Sequence, residues 1–360
     1  MKKLIALLLA LVMVLGLVAC ASTTTTTEPA NEPAPATETP AAEEPAAEEE
    51  TTAEAPAETK KTIYVLAPNP DHGWTGAIGV FAQAKVDELN AEGRYNAILQ
   101  TFASADDQIK QIEDIIANNP GDGSIGVAML PANTDLENAI QQLADAGIPY
   151  TAADRIIPSV ASTAVSNIKY DNVEIGAAAA SYLVSKGMVE GDKVVCIEGD
   201  GSSADTDRTD GFNKYSGSTG WNPANAQAYF ETYMSNADNA DTKYIAAWDS
   251  GLALAVCDAL AGSAIDDATK EAFLANGPFL TGCGGPKSIY AVIAGDYTNY
   301  PVAEQFGGIM DVTYPPAMIQ DTIQALVDYF DGKDVPQENT QSAQCVTADN
   351  VAEFMDKGFE

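Results

Sequence analysis

The chain holds a single histidine, His72, in the loop Ala67-Pro-Asn69-Pro-Asp71-His72-Gly-Trp74, so a multi-histidine metal site is impossible. No Gly-x-Ser-x-Gly elbow, His-Glu-x-x-His or Cys-x-x-Cys occurs, which leaves the common hydrolases without a nucleophile and base or a metal. Past Cys20 lie Cys196, Cys257, Cys283 and Cys345, in no metal spacing. In an exported chain they permit three pairings between which spacing does not choose, and Cys196, inside an apolar run, reads as a buried thiol. Asp200, Asp205, Asp207 and Asp210 have the composition of a calcium loop but neither its odd-position spacing nor its closing glutamate, so they read as a solvated loop. The turn Thr281-Gly-Cys283-Gly284-Gly285 offers backbone N–H groups to a phosphate, but no Gly-Lys-Ser/Thr completes a phosphate loop. Recognition is therefore better supported than reaction, and enzymatic function is disfavoured.

The groups that could recognise a small solute have to be carried by a scaffold, and the apolar patterning specifies one. Short apolar runs alternate with helical patterns: Thr62-Ala67, a helix near Ala77 to Asn90, Asn96-Thr101, then Ile109, Ile112, Ile115 and Ile116 at helical spacing. Next come Ile125-Leu130, a helix around Leu136 to Ala146, and Ile148-Ala152, with Gly147 and Pro149 as stop signals. The pattern restarts after Ser166: a helix through Ile175 to Val184, strand Lys193-Ile197, a helix near Asp210, strand Ala226-Phe230, strand Tyr244-Trp248, helix Leu252 to Leu260 and strand from Phe279. Such repetition predicts an α/β fold of two Rossmann-like lobes with parallel sheets. In open sheets of this type the ligand lies beyond the carboxyl ends of the strands, which in two facing lobes line one shared cleft.

The N-terminus adds a location. Lys2 and Lys3 precede an apolar run from Leu4 to Leu15, and Leu17-Val18-Ala19-Cys20 ends it, which reads as an export signal over residues 1–20. Residues 21–59 hold only Ala, Ser, Thr, Glu, Pro and one Asn, a composition that buries no core and predicts a disordered tether. Extended at ~3.1 Å per residue, it reaches on the order of 100 Å. No later segment is apolar enough to span a membrane. With 52 acidic against 18 basic residues and a formal charge of −34, the protein is repelled by phosphate backbones and anionic lipid, so nucleic acid is excluded as a partner.

Four segments, in order, carry a resemblance: Ala146-Gly-Ile-Pro-Tyr-Thr-Ala-Ala-Asp154-Arg155, Glu198-Gly-Asp-Gly-Ser-Ser-Ala-Asp-Thr-Asp-Arg208-Thr-Asp-Gly-Phe, Ile245-Ala-Ala-Trp-Asp249-Ser-Gly-Leu-Ala-Leu-Ala and Val346-Thr-Ala-Asp-Asn-Val-Ala-Glu-Phe. Behind a signal whose Leu-Val-Ala-Cys resembles a bacterial lipobox, they resemble the type I periplasmic-binding family, the ribose- and galactose-binding proteins of ABC transport, from about Thr62 to Glu360. The resemblance implies lobes of 62–163 plus 314–341 and 164–313 plus 342–360, joined by a three-segment hinge. It implies closure of that hinge around a monosaccharide-like ligand, an ABC permease with its ATPase as partner, a monomer, no cofactor, and a lipid on Cys20 as the sole membrane attachment.

A sugar alternates polar edges with apolar faces, so its site needs planar groups that hold neighbouring hydroxyls and rings that cover C–H surface. The resemblance assigns the first task to Asp154 and Arg155, to Arg208 and to Asp249. Arg208 could instead pair with Asp205 or Asp210 at a helix start. Trp74 takes the stacking position and His72 the polar one, or else His72 is a structural loop residue. Two positions depart from the family: Trp248 stands where an asparagine usually contacts sugar, and Gly284 stands at a ligand-binding aspartate, offering only backbone groups. Phe230 is the candidate for a second stacking face, and Asp311, Thr313 and Tyr314 near the second crossover are further polar candidates. A nucleoside is the runner-up ligand, on Trp74 and Trp248, and a sensory receptor of the same fold the runner-up role. The expectation to test is that Asp154, Arg155, Arg208 and Asp249 converge on one gap flanked by Trp74 and Trp248.

Overall fold

A computed structural model describes residues 60–360 apart from 71–72, 213–215 and 219, so Cys20, the export signal, the tether and His72 lie outside the described residues. The first half alternates strand and helix: β1 (Lys61–Pro68), α1 (Gly73–Glu92), β2 (Tyr95–Phe102), α2 (Ala105–Ala117), β3 (Ile125–Met129), α3 (Glu137–Asp145), β4 (Tyr150–Ala153) and β5 (Ser166–Tyr170). The second continues with α4 (Asn172–Ser185), β6 (Val194–Glu198), α5 (Ser203–Phe212), β7 (Ser216–Ser218), α6 (Pro223–Met234), β8 (Tyr244–Ala247), α7 (Ser250–Ala261), α8 (Asp267–Ala275), β9 (Phe279–Gly284), α9 (Lys287–Ile293) and β10 (Gly308–Thr313). Then come α10 (Met318–Phe330), β11 (Glu338–Gln341) and β12 (Cys345–Val346).

Two six-stranded sheets result, in the orders β11-β5-β4-β3-β1-β2 and β12-β10-β9-β8-β6-β7. All pairings are parallel except the short antiparallel edge of β10 with β12. Parallel strands need helical crossovers that cover both faces, which is why the central strands read as unbroken apolar runs: β3, β4 and β8 are buried at every position. The chain passes between the sheets after β5, between β10 and α10, and between β11 and β12. The fold is thus α/β with two lobes of parallel sheet, and no helix among the described residues is long and apolar enough to cross a membrane.

Two expectations need correcting. A lobe boundary at 163/164 is too early, because β5 pairs with β4 and the first passage follows Tyr170. The segment Ala226-Phe230 is helical, not a strand. Asn222 caps it by accepting from the N–H groups of Ala224 and Asn225, and Pro223 sits in the first turn, where its missing N–H costs nothing. Its apolar residues Ala226, Phe230 and Met234 then recur every four residues on one buried face.

Candidate functional site

The lobe-one side of the cleft begins where β4 stops. Asp154 follows at φ +63°, a left-handed backbone that costs most side chains about 1–2 kcal/mol and that Asp tolerates. Its N–H donates to Ile168 O at 2.9 Å, so the neighbouring strand holds the turn and the buried carboxylate faces the gap. Arg155, next along, donates to the carbonyl of Ala132 at 2.6 Å and reaches Asp200 of the second lobe at 3.8 Å. Trp74, at the start of α1, brings a ring to the same place, and its Nε1 donates to the carbonyl of Tyr314 at 2.8 Å.

On the lobe-two side, Arg208 projects from α5 and is 4 % exposed. Its Nε donates to Asn172 Oδ1 at 2.9 Å and its Nη1 to the carbonyl of Trp248 at 2.5 Å. The backbones of α4 and α5 must touch for this: a Cβ at Gly176 would stand 2.1 Å from the carbonyl oxygen of Arg208. Burial opposes the guanidinium charge, but its surroundings, the Asp154 and Asp249 carboxylates among them, outweigh that and hold its pKa above the ordinary arginine value. Asp249 caps α7, accepting from Gly251 N at 2.7 Å and Leu252 N at 3.4 Å, and lines the gap from there. Trp221 lies flat against Gly199, where any side chain would collide with the indole, and faces the guanidinium of Arg208 at 5.4 Å.

Tyr314, on the second passage between lobes, joins the two sides. Its hydroxyl donates to Asp154 Oδ1, its ring lies 4.6 Å beneath the Arg208 guanidinium, and its centroid is 5.4 Å from that of Trp74. Burial, reinforced by the Asp154 charge, drives its pKa well above that of free tyrosine, so it stays a donor. The space enclosed is about 30 Å³, room for about two waters, so anything sugar-sized requires the lobes to part. Cys283 closes the floor, its thiol pushed up to about 12 by burial despite the pull of Arg208. A thiol so rarely ionised is a poor nucleophile.

Asp154, Arg155, Arg208, Asp249 and Trp74 thus converge on one gap. Trp248 and Phe230 do not reach it. Trp248 is 1 % exposed, its ring packs edge-on to Phe212 and its Nε1 donates to Thr209, so only its carbonyl serves the site, by fixing Arg208. Phe230 is buried in lobe two against Phe273 and Tyr233. Gly284 lies just behind the gap at φ +147°, where it accepts from the N–H of Tyr314 at 3.3 Å, and its neighbour Cys283 makes the lining. The place reserved for a second ring belongs instead to Trp221, which the sequence signals only by Gly-Trp-Asn-Pro, the turn before α6. Asp205 corrects the solvated-loop reading: it is 3 % exposed and accepts from the N–H groups of Gly199 and Gly201 at 2.8 and 2.6 Å, shaping the loop before α5.

Directly beneath the gap, Asp311 of β10 is fully buried, accepts from Ser250 Oγ at 2.7 Å through one oxygen, and shows no side-chain partner for the other among the described residues. Burial pushes its pKa up to about 8. Burial thus favours its protonated form.

The fold recurs in known proteins. A galactofuranose-binding protein has the same fold at a TM-score of 0.66 and 17% identity, over 82% of this chain and 98% of its own. The arabinose-transporter binding component from Shewanella sp. ANA-3, solved with L-arabinofuranose, matches at 0.67 and 16%, over 82% and 95%. The Caulobacter myo-inositol-binding protein matches at 0.68 and 17%, over 84% and 99%. No curated protein matches the sequence. Residues 63–334, most of the chain, match the periplasmic binding protein domain, and the chain accordingly belongs to that family, one of binding proteins and not of enzymes.

Proposed function

We propose that this chain is the extracytoplasmic substrate-binding lipoprotein of an ABC importer, capturing a monosaccharide or cyclic polyol between its lobes by hinge closure. The observation that carries the reading is the composition of the gap. Asp154, Arg155, Arg208 and Asp249 supply planar acceptors and donors for paired hydroxyls, while Trp74, Trp221 and Tyr314 supply ring faces for C–H surface. The ligands named for the structural relatives are of this chemistry. Closure is stabilised only to the extent that the ligand's contacts are better in the closed state. The ligand therefore takes over from Tyr314 the bond to Asp154 and bridges it to Arg208. Cys20 carries the lipid and residues 21–59 the reach, and a permease reads the closed form.

The test is a thermal-shift and calorimetric screen of monosaccharides, sugar alcohols, inositols and nucleosides on the mature chain. A sugar or polyol is expected to raise the melting temperature, and Asp154→Ala to abolish the rise. A response to nucleosides with all polyols silent would overturn the ligand assignment. The anchor is tested separately by labelled-palmitate incorporation in cells, which Cys20→Ser is expected to remove.

A further inference from the structure

A second cavity, about 210 Å³, sits at the hinge and shares no lining residue with the gap. Tyr314 lines the gap and Tyr170 lines this cavity, their ring centroids 5.2 Å apart, so the two rings form the partition. The walls come from both lobes. Phe81 of α1 stands on one side, and on the other Tyr290 of α9, Phe354 and Phe359. The chain terminus is fixed there by the bond from Lys287 N to Phe359 O at 2.8 Å.

Three features indicate what fits. The lining is mostly aromatic and aliphatic, with Thr313, Ser342 and Gln344 as neutral polar groups. Tyr170 and Tyr290 are 8 % and 2 % exposed, yet neither hydroxyl has a hydrogen-bond partner among the described residues. Burial first, and then the Asp321 charge at Tyr170 and the Asp311 charge at Tyr290, keep both phenols un-ionised, that of Tyr170 pushed up to about 12, so both hydroxyls present donors to the cavity. The lining's only charged group is Lys357, an exposed side chain over the Phe354 ring at 4.7 Å that makes no ion pair among the described residues. In a chain of formal charge −34 this lysine is the one cation of the lining, set against Asp321 and Asp311, which act on Tyr170 and Tyr290 from outside the lining. Screening over ~8 Å at physiological salt lets that local charge decide. As for size, a cavity of ~150 Å³ holds benzene, so this one takes a molecule of roughly eight to ten non-hydrogen atoms.

We propose that the hinge cavity is a second binding site, for a benzoate-sized aromatic monocarboxylate whose ring seats among the aromatic walls and whose carboxylate is held by Lys357 and a tyrosine hydroxyl. The site is independent of the sugar reading, and a chain that answers no sugar still tests it. The experiment is isothermal titration of the mature chain with benzoate and with its neutral isostere benzamide. One benzoate per chain is expected, with benzamide about tenfold weaker, the worth of one charge-assisted hydrogen bond. Lys357→Gln, an exposed change that does not threaten folding, is expected to weaken benzoate about tenfold, and Tyr290→Phe similarly. No saturable binding, equal binding of benzamide, or benzoate affinity unmoved by Lys357→Gln would overturn the proposal.

Discussion

The two lobes supply the gap in different ways. Lobe two holds its groups in a finished network: Arg208 is fixed by Asn172 and by the Trp248 carbonyl, and α4 and α5 meet backbone to backbone at Gly176. Lobe one and the hinge supply groups whose geometry depends on each other. Asp154 is held through the Tyr314 hydroxyl, Trp74 through the Tyr314 carbonyl, and Arg155 by the Ala132 carbonyl of its own lobe and by Asp200 across the cleft. One wall is therefore fixed within its own lobe, and the other, on the proposed hinge closure, is completed only when the lobes meet. Rigid donors lower the ordering cost of binding, and adjustable ones let the hinge report it.

The largest effect should separate the walls by stability. Arg208→Ala leaves Asn172 Oδ1 and a buried carbonyl without their donor, and is expected to cost about 3–5 kcal/mol in urea unfolding. Asp154→Ala removes a residue from a left-handed turn and a bond that the hinge can replace, at about 1 kcal/mol. Equal losses would erase the contrast.

A pH series sharpens the rigid wall further. Asp311 has a folded pKa of about 8 against an ordinary value of 3.8. Between these the unfolded chain gives up a proton that the folded chain keeps, so this residue's contribution to stability is fully present below pH ~4 and falls as pH rises toward ~8. Asp311→Asn is expected to flatten that slope, gaining roughly 5 kcal/mol on the native protein between pH ~4 and pH ~8. Parallel urea-midpoint curves for the two proteins from pH 5 to 8 would mean that the carboxyl is ionised in the fold.

How far these walls could be read from sequence follows the same division. The strand ends were legible because a buried parallel strand must be apolar and must stop where polarity returns. That placed Asp154, Arg155 and Asp249 at the cleft, and Arg208 with them through the resemblance. Trp74 came with the resemblance, but the other ring positions were not legible, because a buried tryptophan has the same composition whether it faces a ligand or a core. Trp248 follows β8 and points inward, while Trp221, at φ +58° before α6, points to the gap. The strand expected at Ala226-Phe230 failed for a related reason: over five residues an apolar run does not distinguish the periods of helix and strand, and Asn222-Pro223 was the deciding signal. The pairing of β5 with β4, made across a loop, leaves no local trace at all.

The smallest expected effect bears on those two tryptophans. Trp248→Phe keeps a ring in the core and the backbone carbonyl that holds Arg208, losing only the Nε1 bond to Thr209 at 3.0 Å, a matter of about 1 kcal/mol of stability. Because the ring never reaches the gap, the dissociation constant for whichever polyol the screen finds should move less than about twofold, well under 1 kcal/mol. Trp221→Leu removes a face beside Arg208 and should weaken the same ligand about tenfold. Titrating both variants by calorimetry decides between them: if Trp248→Phe proves the more damaging, the ring turns outward when the lobes part, and lobe two is not the rigid wall.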